Sequence, residues 1–250
     1  MKKILRSLLK IVITSAAWLS IIVLIVVVSR FSNEAYDTVI NTYSQRNTFI
    51  VSGSSNSYGT GFLVKHNGSK YIVTNAHLCD VSQNGYMTVN KGSDSTPRRI
   101  LAVSRQNDLC ILEPVSGLGL AITTSRSKNQ LLTMHGHAFN EGLSARSGRI
   151  ISQSTKTIPL FPITSNEDHD RCTEQEGDII IVFISFFCIR RHTVLETTIQ
   201  GGPGASGSPV VDLLGRIVGV KSIYHTQNLR SMIIPSEFLI ELIEQFEEGL

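Results

Sequence analysis

Charged residues are scarce in this sequence, and several classes of function are therefore not expected. They account for 17% of the 250 residues, and the formal net charge of +3 is small. Nucleic-acid-binding proteins usually concentrate Lys and Arg on one surface, so this scattered, weak positive charge gives no reason to expect a nucleic-acid partner. No glycine-rich phosphate loop precedes a helix, and we expect no cofactor.

Motifs for metal binding are also absent. The sequence has no Cys-x-x-Cys pair and no His-x-x-x-His spacing. His135 and His137 flank Gly136 and would share one face of a strand, which leaves a metal pair as an alternative. No third ligand is apparent, however, so we prefer a structural role for both and expect no metal site.

The amino terminus contains the longest apolar stretch. Residues 11–28 carry no charge, which suits a membrane-spanning helix of near-minimal length. Basic residues precede this stretch: Lys2, Lys3, Arg6 and Lys10. They should remain in the cytoplasm and place the rest of the chain on the periplasmic or extracytoplasmic side. The alternative is a cleaved secretory signal, since Val27 and Ser29 are small enough to precede a cleavage point.

Short apolar, β-branched segments dominate the rest of the chain and predict an all-β fold. The predicted strands cover residues 58–65, 70–74, 86–90, 98–104, 109–112, 131–135, 148–153, 178–189, 194–199, 209–212 and 217–222. Asn67-Gly68 predicts a tight hairpin turn, because both residues tolerate positive φ. Pro235 should end the last strand, and Ser236 could cap a carboxyl-terminal helix whose apolar stripe packs on the domain.

The segment from Gly204 to Pro209 contains the most informative motif. Ser206 lies between Gly204 and Gly207, in a turn where backbone amides can converge on one point. A seryl oxygen in such a turn is a candidate nucleophile, and the N–H groups of Gly204 and Ser206 could stabilise an oxyanion. A plain surface turn would use the same residue types, so the motif needs support from elsewhere in the chain.

That support comes from one histidine and one aspartate. His77 follows an apolar run that ends at Thr74, and Asp108 stands at the head of another apolar run. A seryl hydroxyl needs a base to take its proton, and that base needs a group to orient it, so His77 and Asp108 are candidates for these roles. Each could instead be a local capping or turn residue.

The order His, Asp, Ser and the residues around each resemble the trypsin-like (chymotrypsin-fold) serine peptidases, closest to the Deg/HtrA type. The matching segments cover residues 59–64, 73–77, 107–112, 204–211, 215–220 and 233–236. The resemblance extends over roughly residues 48–245, and residues 153–190 fit it least. It implies a serine endopeptidase that acts on proteins or peptides.

The resemblance also implies two six-stranded antiparallel β-barrels with a carboxyl-terminal helix, in addition to the amino-terminal transmembrane helix. The expected organisation is a basic stretch and anchor over residues 1–30, a linker over 31–47, a first barrel over 48–118, an inter-barrel linker over 119–130, a second barrel over 131–235 and a helix over 236–250. A PDZ domain often follows the barrels in the Deg/HtrA type, but this chain ends soon after them and none is expected. The oligomeric state has no signature.

Two residues of the nucleophile turn depart from the family pattern. Ser208 stands where the family usually has Gly, and Ala205 where it has Asp or Asn. Neither change removes a catalytic proton carrier, so activity is expected. The alternatives are a catalytically silent peptide-binding module of the same fold and an esterase or other acyl transferase; the absence of a Gly-x-Ser-x-Gly elbow argues against an α/β-hydrolase.

The resemblance places substrate binding on the stretch before the nucleophile and on the strand after Gly219. The implied substrate-binding residues are Gln200, Gly201, Ser222, Ile223, Tyr224 and Met232. None is acidic, so we expect an uncharged, small or medium apolar side chain at the cleaved position.

Four cysteines on an exported chain make disulfides permissible. Cys79 and Cys110 each lie close to a candidate catalytic residue and could pair, while Cys172 and Cys188 could bridge a hairpin. Three pairings are possible, and the sequence does not choose among them.

Overall fold

A computed structural model describes residues 38–54, 57–82, 84–138, 142–163, 165, 167, 170, 172–173, 178–182, 185–225 and 230–249. The chain divides into two units, Met1–Thr42 and Tyr43–Leu250. The membrane helix predicted over residues 11–28 lies outside the described residues. Among the helices within the described ranges, none has the length and apolar character needed to cross a bilayer.

The first barrel is built from the amino-terminal half of the second unit. In the described part of the chain, seven strands pair in the order β1-β4-β5-β6-β3-β2-β7, and an additional β1–β2 pairing closes six of them into a barrel. The strands are β1 (Thr48–Ser54), β2 (Ser57–His66), β3 (Ser69–Thr74), β4 (Tyr86–Lys91), β5 (Asp94–Ser104), β6 (Leu109–Leu112) and β7 (Leu120–Ala121).

The hairpin between β2 and β3 confirms the turn predicted from Asn67-Gly68. His66 pairs with Ser69, and the two residues between them have positive φ, 47° at Asn67 and 92° at Gly68. Positive φ at both central positions matches the right-handed twist of the flanking strands. The turn therefore sets the register that carries β3 toward His77.

The second barrel is closed in the same way as the first, by one additional strand pairing. Another seven strands among the described residues pair in the order β10-β11-β14-β13-β12-β8-β9, and a β11–β9 pairing closes six of them. They are β8 (Leu131–Gly136), β9 (Ser144–Ile163), β10 (Asp178–Val182), β11 (Ser185–Thr197), β12 (Pro209–Val211), β13 (Ile217–His225) and β14 (Arg230–Pro235). Two closed six-stranded barrels thus confirm the predicted all-β architecture.

The prediction of a single buried strand over residues 178–189 is wrong. The segment forms two antiparallel strands, β10 and the start of β11, in which Ile179 lies opposite Cys188. Ile179 and Phe186 are 37% and 49% exposed. A continuous apolar run does not reveal a reversal of direction inside it, because its hydrophobicity is the same in one strand or two. The strand predicted over 194–199 is correspondingly the end of β11.

Both predicted linkers contain ordered elements. Helix α1 covers residues 38–46, within the predicted linker 31–47. Tyr43 donates its hydroxyl hydrogen to the carbonyl oxygen of Gly119 at 2.5 Å, and Asn47 accepts a hydrogen bond from the Gly119 N–H at 3.1 Å. These contacts anchor the start of the predicted inter-barrel linker, whose next two residues form β7.

A carboxyl-terminal helix, α3 (Ser236–Glu248), follows α2 (Ala76–Cys79) in chain order. Its residues Leu239, Leu242 and Ile243 are buried in one cluster with apolar side chains of both barrels, so the stripe serves packing, as predicted. The predicted cap at Ser236 is wrong: the cap position is Pro235, and the Ser236 hydroxyl instead donates to the carbonyl oxygen of Thr123 at 2.7 Å.

Candidate active site

His77 lies just beyond the end of β3, where the sequence predicted it. Thr74 ends the strand, Asn75 precedes the helix, and His77 is the second residue of α2. The Asn75 side-chain amide donates to the carbonyl oxygen of Asp108 at 2.9 Å. This bond ties the beginning of α2 to the turn that carries Asp108, while 48% of the His77 side chain remains exposed.

Asp108 occupies a tight turn directly before β6. Its φ is +50°, a left-handed conformation that Asp tolerates better than most residues, and its N–H donates to the carbonyl oxygen of Arg105 at 3.2 Å. The residue is 5% exposed. The carboxylate oxygen Oδ1 accepts two hydrogen bonds from His77, from Nδ1 at 2.9 Å and from the backbone N–H at 3.1 Å.

The environment of Asp108 favours its charged form. Burial by itself would raise the pKa of this carboxyl group, but the charge of His77 and the hydrogen bonds from His77 and Ser222 outweigh burial and hold the pKa below the usual 3.8. A carboxylate that stays ionised can orient the imidazole and stabilise its protonated form.

Ser222 links the aspartate to the serine turn. Its hydroxyl donates to Oδ2 of Asp108, and its backbone carbonyl oxygen accepts the Ser206 hydroxyl at 3.1 Å. The same carbonyl oxygen accepts a hydrogen bond from Nζ of Lys221 at 3.0 Å. Ser222 lies on β13, so the second barrel provides these contacts.

Ser206 sits in the turn that the sequence singled out. The turn is held on both sides, because the carbonyl oxygen of Ser206 accepts from the Thr60 N–H at 2.7 Å and the Gly207 N–H donates to the Lys221 carbonyl at 2.8 Å. Within the part of the chain that the structure describes, the Ser206 hydroxyl bonds to Ser222 rather than to the imidazole of His77. The structure thus groups the three candidate residues through Ser222.

Gly204 occupies a position that requires glycine. Its φ is +85°, and a Cβ there would lie 2.3 Å from the carbonyl oxygen of His137. Thr60 fixes this approach, since its hydroxyl donates to the Gly204 carbonyl at 2.8 Å and accepts the His137 N–H at 3.1 Å. The N–H groups of Gly204 and Ser206 donate to no acceptor among the described residues, so both amides are available to an oxyanion.

The structure distributes the predicted substrate-binding residues unevenly. Gln200 and Gly201 lie in the irregular segment after β11, the first exposed and the second buried. Ile223 and Tyr224 belong to β13, but their side chains lie outside what the structure describes. Met232 packs into the apolar cluster shared by α3 and both barrels.

Sequence reasoning missed the buried lysine beside the candidate nucleophile. Only 2% of Lys221 is exposed, whereas lysine side chains usually lie at the protein surface. The available signal was its place in the apolar strand segment that begins at Ile217, where a charged residue interrupts a run of Val, Ile and Gly. The role of Ser222 as a hydrogen-bond donor to Asp108 was missed as well, because that contact joins residues far apart in the chain.

Cysteine pairing is decided by the structure. Cys79 pairs with Cys110 and Cys172 with Cys188, which selects one of the three possibilities. Cys79 lies two residues after His77, and Cys110 two residues after Asp108. The first disulfide therefore joins the segments that carry the imidazole and the carboxylate.

The two histidines considered as a metal pair, His135 and His137, are buried and partly buried. No group of three His, Cys, Asp or Glu side chains in the described ranges could hold a metal ion. His135 is fully buried, and burial lowers its pKa to about 4. Burial also lowers the pKa of His137. His135 is therefore uncharged at neutral pH.

Comparison with known proteins agrees with this geometry. The family described as "Trypsin-like peptidase domain" matches residues 59–220, which is more than half of the chain and includes His77, Asp108 and Ser206. The chain belongs to the trypsin-like peptidase family.

Curated relatives of this trypsin-like peptidase include two proteins named "Probable periplasmic serine endoprotease DegP-like". The one from Halomonas elongata is 23% identical over 197 residues, which cover 76% of this chain and 35% of that protein. The one from Marinomonas sp. is 22% identical over 205 residues, covering 78% and 36%. The chain spans about a third of the length of these relatives.

Solved structures show the same fold. The active form of Rv3671c protease from M. tuberculosis superimposes with a TM-score of 0.63 at 15% identity, covering 83% of each chain. The HtrA-type protease AlgW with a tripeptide gives 0.61 at 15% identity, covering 84% of this chain and 63% of that one. With the curated relatives, these matches confirm the resemblance to the Deg/HtrA type.

Proposed function

We propose that this trypsin-like peptidase is a membrane-anchored serine endopeptidase that hydrolyses peptide bonds through His77, Asp108 and Ser206. The observation that carries the proposal is the series of hydrogen bonds that runs from His77 to Asp108, from Asp108 to Ser222 and from Ser222 to Ser206. A base, an orienting carboxylate and a hydroxyl in a glycine turn are the components that acyl transfer requires.

In the proposed first step, Ser206 attacks the carbonyl carbon of a peptide bond. The contact of His77 Nδ1 with Asp108 favours the tautomer that carries its proton on Nδ1 and leaves Nε2 free to accept one. The Ser206 hydroxyl turns about its Cα–Cβ bond from the Ser222 carbonyl to Nε2 and transfers its proton there. A bond forms between Oγ and the carbonyl carbon, and the carbonyl electron pair moves onto oxygen.

The remaining steps return the enzyme to its starting state. The N–H groups of Gly204 and Ser206 stabilise the oxyanion. The imidazolium of His77 gives its proton to the leaving nitrogen as the C–N bond breaks, which leaves an acyl-enzyme on Ser206. Water then attacks the acyl carbon, with His77 as the base, and releases the second product and the free hydroxyl.

Substrate would lie between the segment before the nucleophile and the strand that follows Gly219. Gln200 and Gly201 line one side in this proposal, and Ser222, Ile223 and Tyr224 the other. Among the described residues, β12 pairs with β13 only as far as Val220, so the backbone of the later β13 residues can pair on that side with an extended peptide by strand addition.

The proposed anchor is the apolar stretch over residues 11–28, with the catalytic unit on the extracytoplasmic side. The basic residues before that stretch support this orientation. Two disulfides in the catalytic unit also favour an oxidising compartment. Alkaline extraction should leave the full-length chain in the membrane pellet, and protease added to spheroplasts, which expose the outer face of the cytoplasmic membrane, should degrade the catalytic unit. Release into the supernatant would instead indicate a cleaved signal.

Labelling with a fluorophosphonate probe tests the nucleophile. We expect the full-length wild type to be labelled and Ser206→Ala to lose all labelling while it keeps its fold. Ser208→Ala is the matched control, because Ser208 lies in the same turn and its buried hydroxyl has no hydrogen-bond partner among the described residues. This variant should be labelled like the wild type.

Two results would contradict the proposal. Equal labelling of the wild type and Ser206→Ala would assign the reactive group elsewhere. A wild type that binds extended peptides but neither labels nor cleaves would favour the catalytically silent module of the same fold.

A further inference from the structure

Lys221 is a buried cation beside the candidate nucleophile. It lies on β13 opposite Ile233 of β14, so the two side chains project from the same face of the sheet. Ile233 belongs to the apolar cluster that includes Met134 and Val210 of the second barrel. Lysine is among the residues least often buried, yet here only 2% of it is exposed.

The ammonium group has a polar contact but no charged partner. Its Nζ donates to the carbonyl oxygen of Ser222 at 3.0 Å, and it forms no ion pair with any carboxylate of the described residues. Asp108 is close enough to favour the charged lysine, but its carboxylate is already bonded by His77 and Ser222. A buried, unpaired charge is costly, so an anion at this place would be strongly favoured.

The charge persists at neutral pH. Burial lowers the pKa of Lys221 to about 8, and the attraction of Asp108 opposes that decrease. Most molecules therefore carry the ammonium form at pH 7, and a bound anion would favour it further.

Lys221 and Ser206 share one hydrogen-bond acceptor. Both Nζ of Lys221 and Oγ of Ser206 bond to the carbonyl oxygen of Ser222, at 3.0 and 3.1 Å, so the two atoms are at most about 6 Å apart. An attacked carbonyl carbon would lie about 3 Å from Oγ. The side chain of that substrate residue branches from the Cα atom bonded to this carbonyl carbon. An Asp or Glu carboxylate at this position can therefore reach the Lys221 ammonium.

We propose that Lys221 forms the base of the specificity pocket and selects substrates with Asp or Glu at the position before the cleaved bond. This inference rests on the proposed function, because it assigns the substrate class of the same Ser206 site. It replaces the apolar preference expected from sequence. An apolar side chain would leave the ammonium desolvated and unpaired, a carboxylate would pair with it, and Lys or Arg would be repelled.

Matched peptides test the selectivity. The full-length protein in detergent would be assayed with fluorogenic peptides that differ only before the cleaved bond, where they carry Glu, Gln, Asp or Leu. Gln has the shape of Glu without its charge. We expect kcat/KM for the Glu peptide to exceed that for the Gln peptide about tenfold or more, and Lys221→Met to abolish that ratio.

Lys70→Met is the matched control variant. Lys70 also donates to a backbone carbonyl, that of Gly117 at 2.6 Å, but it is only partly buried. This variant removes the same charge and should keep the wild-type preference for Glu. The inference is overturned if the wild type cleaves Glu and Gln peptides equally, if it prefers Leu, or if Lys221→Met keeps the preference for Glu.

A binding measurement separates this inference from the proposed function. If fluorophosphonate labels Ser206 but the Glu and Gln peptides are cleaved equally, only the inference fails. If Ser206 is not labelled and no peptide is cleaved, the proposed function fails. The specificity pocket is then tested by calorimetry, which measures the binding of product peptides ending in Glu or Gln to Ser206→Ala. Tighter binding of the Glu peptide, lost in Ser206→Ala/Lys221→Met, supports the inference, and equal affinities overturn it.

Discussion

The hydroxyl of Ser222 donates a hydrogen bond to Oδ2 of Asp108, and this contact joins β13 of the second barrel to the turn before β6 of the first. The other carboxylate oxygen, Oδ1, bonds to His77. Asp108 is thus held from both barrels. The position of the imidazole relative to the Ser206 turn consequently depends on how the two barrels pack.

Replacing Ser222 by Ala should lower activity without unfolding the protein. A hydrogen bond to a charged group contributes about 1.5–3 kcal/mol, so we expect kcat/KM to fall about tenfold or more. The pKa of Asp108 should rise, because its charged form loses a donor. Peptide hydrolysis and fluorophosphonate labelling rates would measure the effect. Ser147→Ala, on an exposed part of β9, is the control, and equal rates for the two variants would contradict a role for Ser222.

Gly204→Ala should disable the proposed oxyanion site. The residue has a φ of +85°, and its new Cβ would lie 2.3 Å from the His137 carbonyl, so the turn must shift. Losing one oxyanion donor lowers kcat by about 100- to 1,000-fold. Gly68→Ala is the control, since its φ is +92° and its Cβ would meet nothing within 4 Å. If Gly204→Ala hydrolyses peptides as fast as Gly68→Ala, Gly204 does not contribute to an oxyanion site.

The two disulfides should contribute similarly to stability but differently to activity. They close loops with sequence separations of 31 and 16 residues, and loop-closure entropy predicts a loss of about 3–4 kcal/mol for each. Only Cys79–Cys110 joins the His77 and Asp108 segments. We therefore expect C79A/C110A to be labelled much more slowly than C172A/C188A at matched stability, measured by urea denaturation. Similar labelling of both would show that the disulfide does not position the imidazole.

Lys221 should make the stability of the protein depend on pH. Its pKa falls from the ordinary 10.5 to about 8 in the folded state, so the unfolded chain binds more protons between these values and stability rises with pH across that interval. Below pH 8, folding carries the full free-energy cost of burying the charged Lys221 side chain. At about 1.4 kcal/mol for each pH unit, Lys221→Met should be more stable than the wild type by about 3 kcal/mol at pH 7.

Urea denaturation at pH 7 and pH 10 would measure this difference. The advantage of Lys221→Met should shrink at pH 10, where the folded wild type has lost the charge. Asp108 is the titratable group that acts on the pKa of Lys221, and both Asp108 and its hydrogen-bond partner His77 remain in the variant. Lys70→Met serves as control and should show no advantage at either pH. A difference between Lys221→Met and the wild type that does not change with pH would contradict the prediction.

Local signals in the sequence predicted much of the fold. The Asn67-Gly68 turn, the apolar run before His77 and the strand at Leu109–Leu112 are encoded by neighbouring residues, since turn conformation and β preference depend on local sterics. The internal reversal of residues 178–189 escaped prediction, because nothing in an apolar run of uniform character marks where the chain turns back.

The sequence by itself determined the identity and order of the candidate catalytic groups: an imidazole after one strand, a carboxylate before another, and a hydroxyl between two glycines. Only the tertiary structure decided which groups meet. The Ser222–Asp108 bond, the Cys79–Cys110 pairing and the burial of Lys221 all depend on contacts between residues distant in the chain. Barrel closure and strand register set such contacts, and no short segment encodes them.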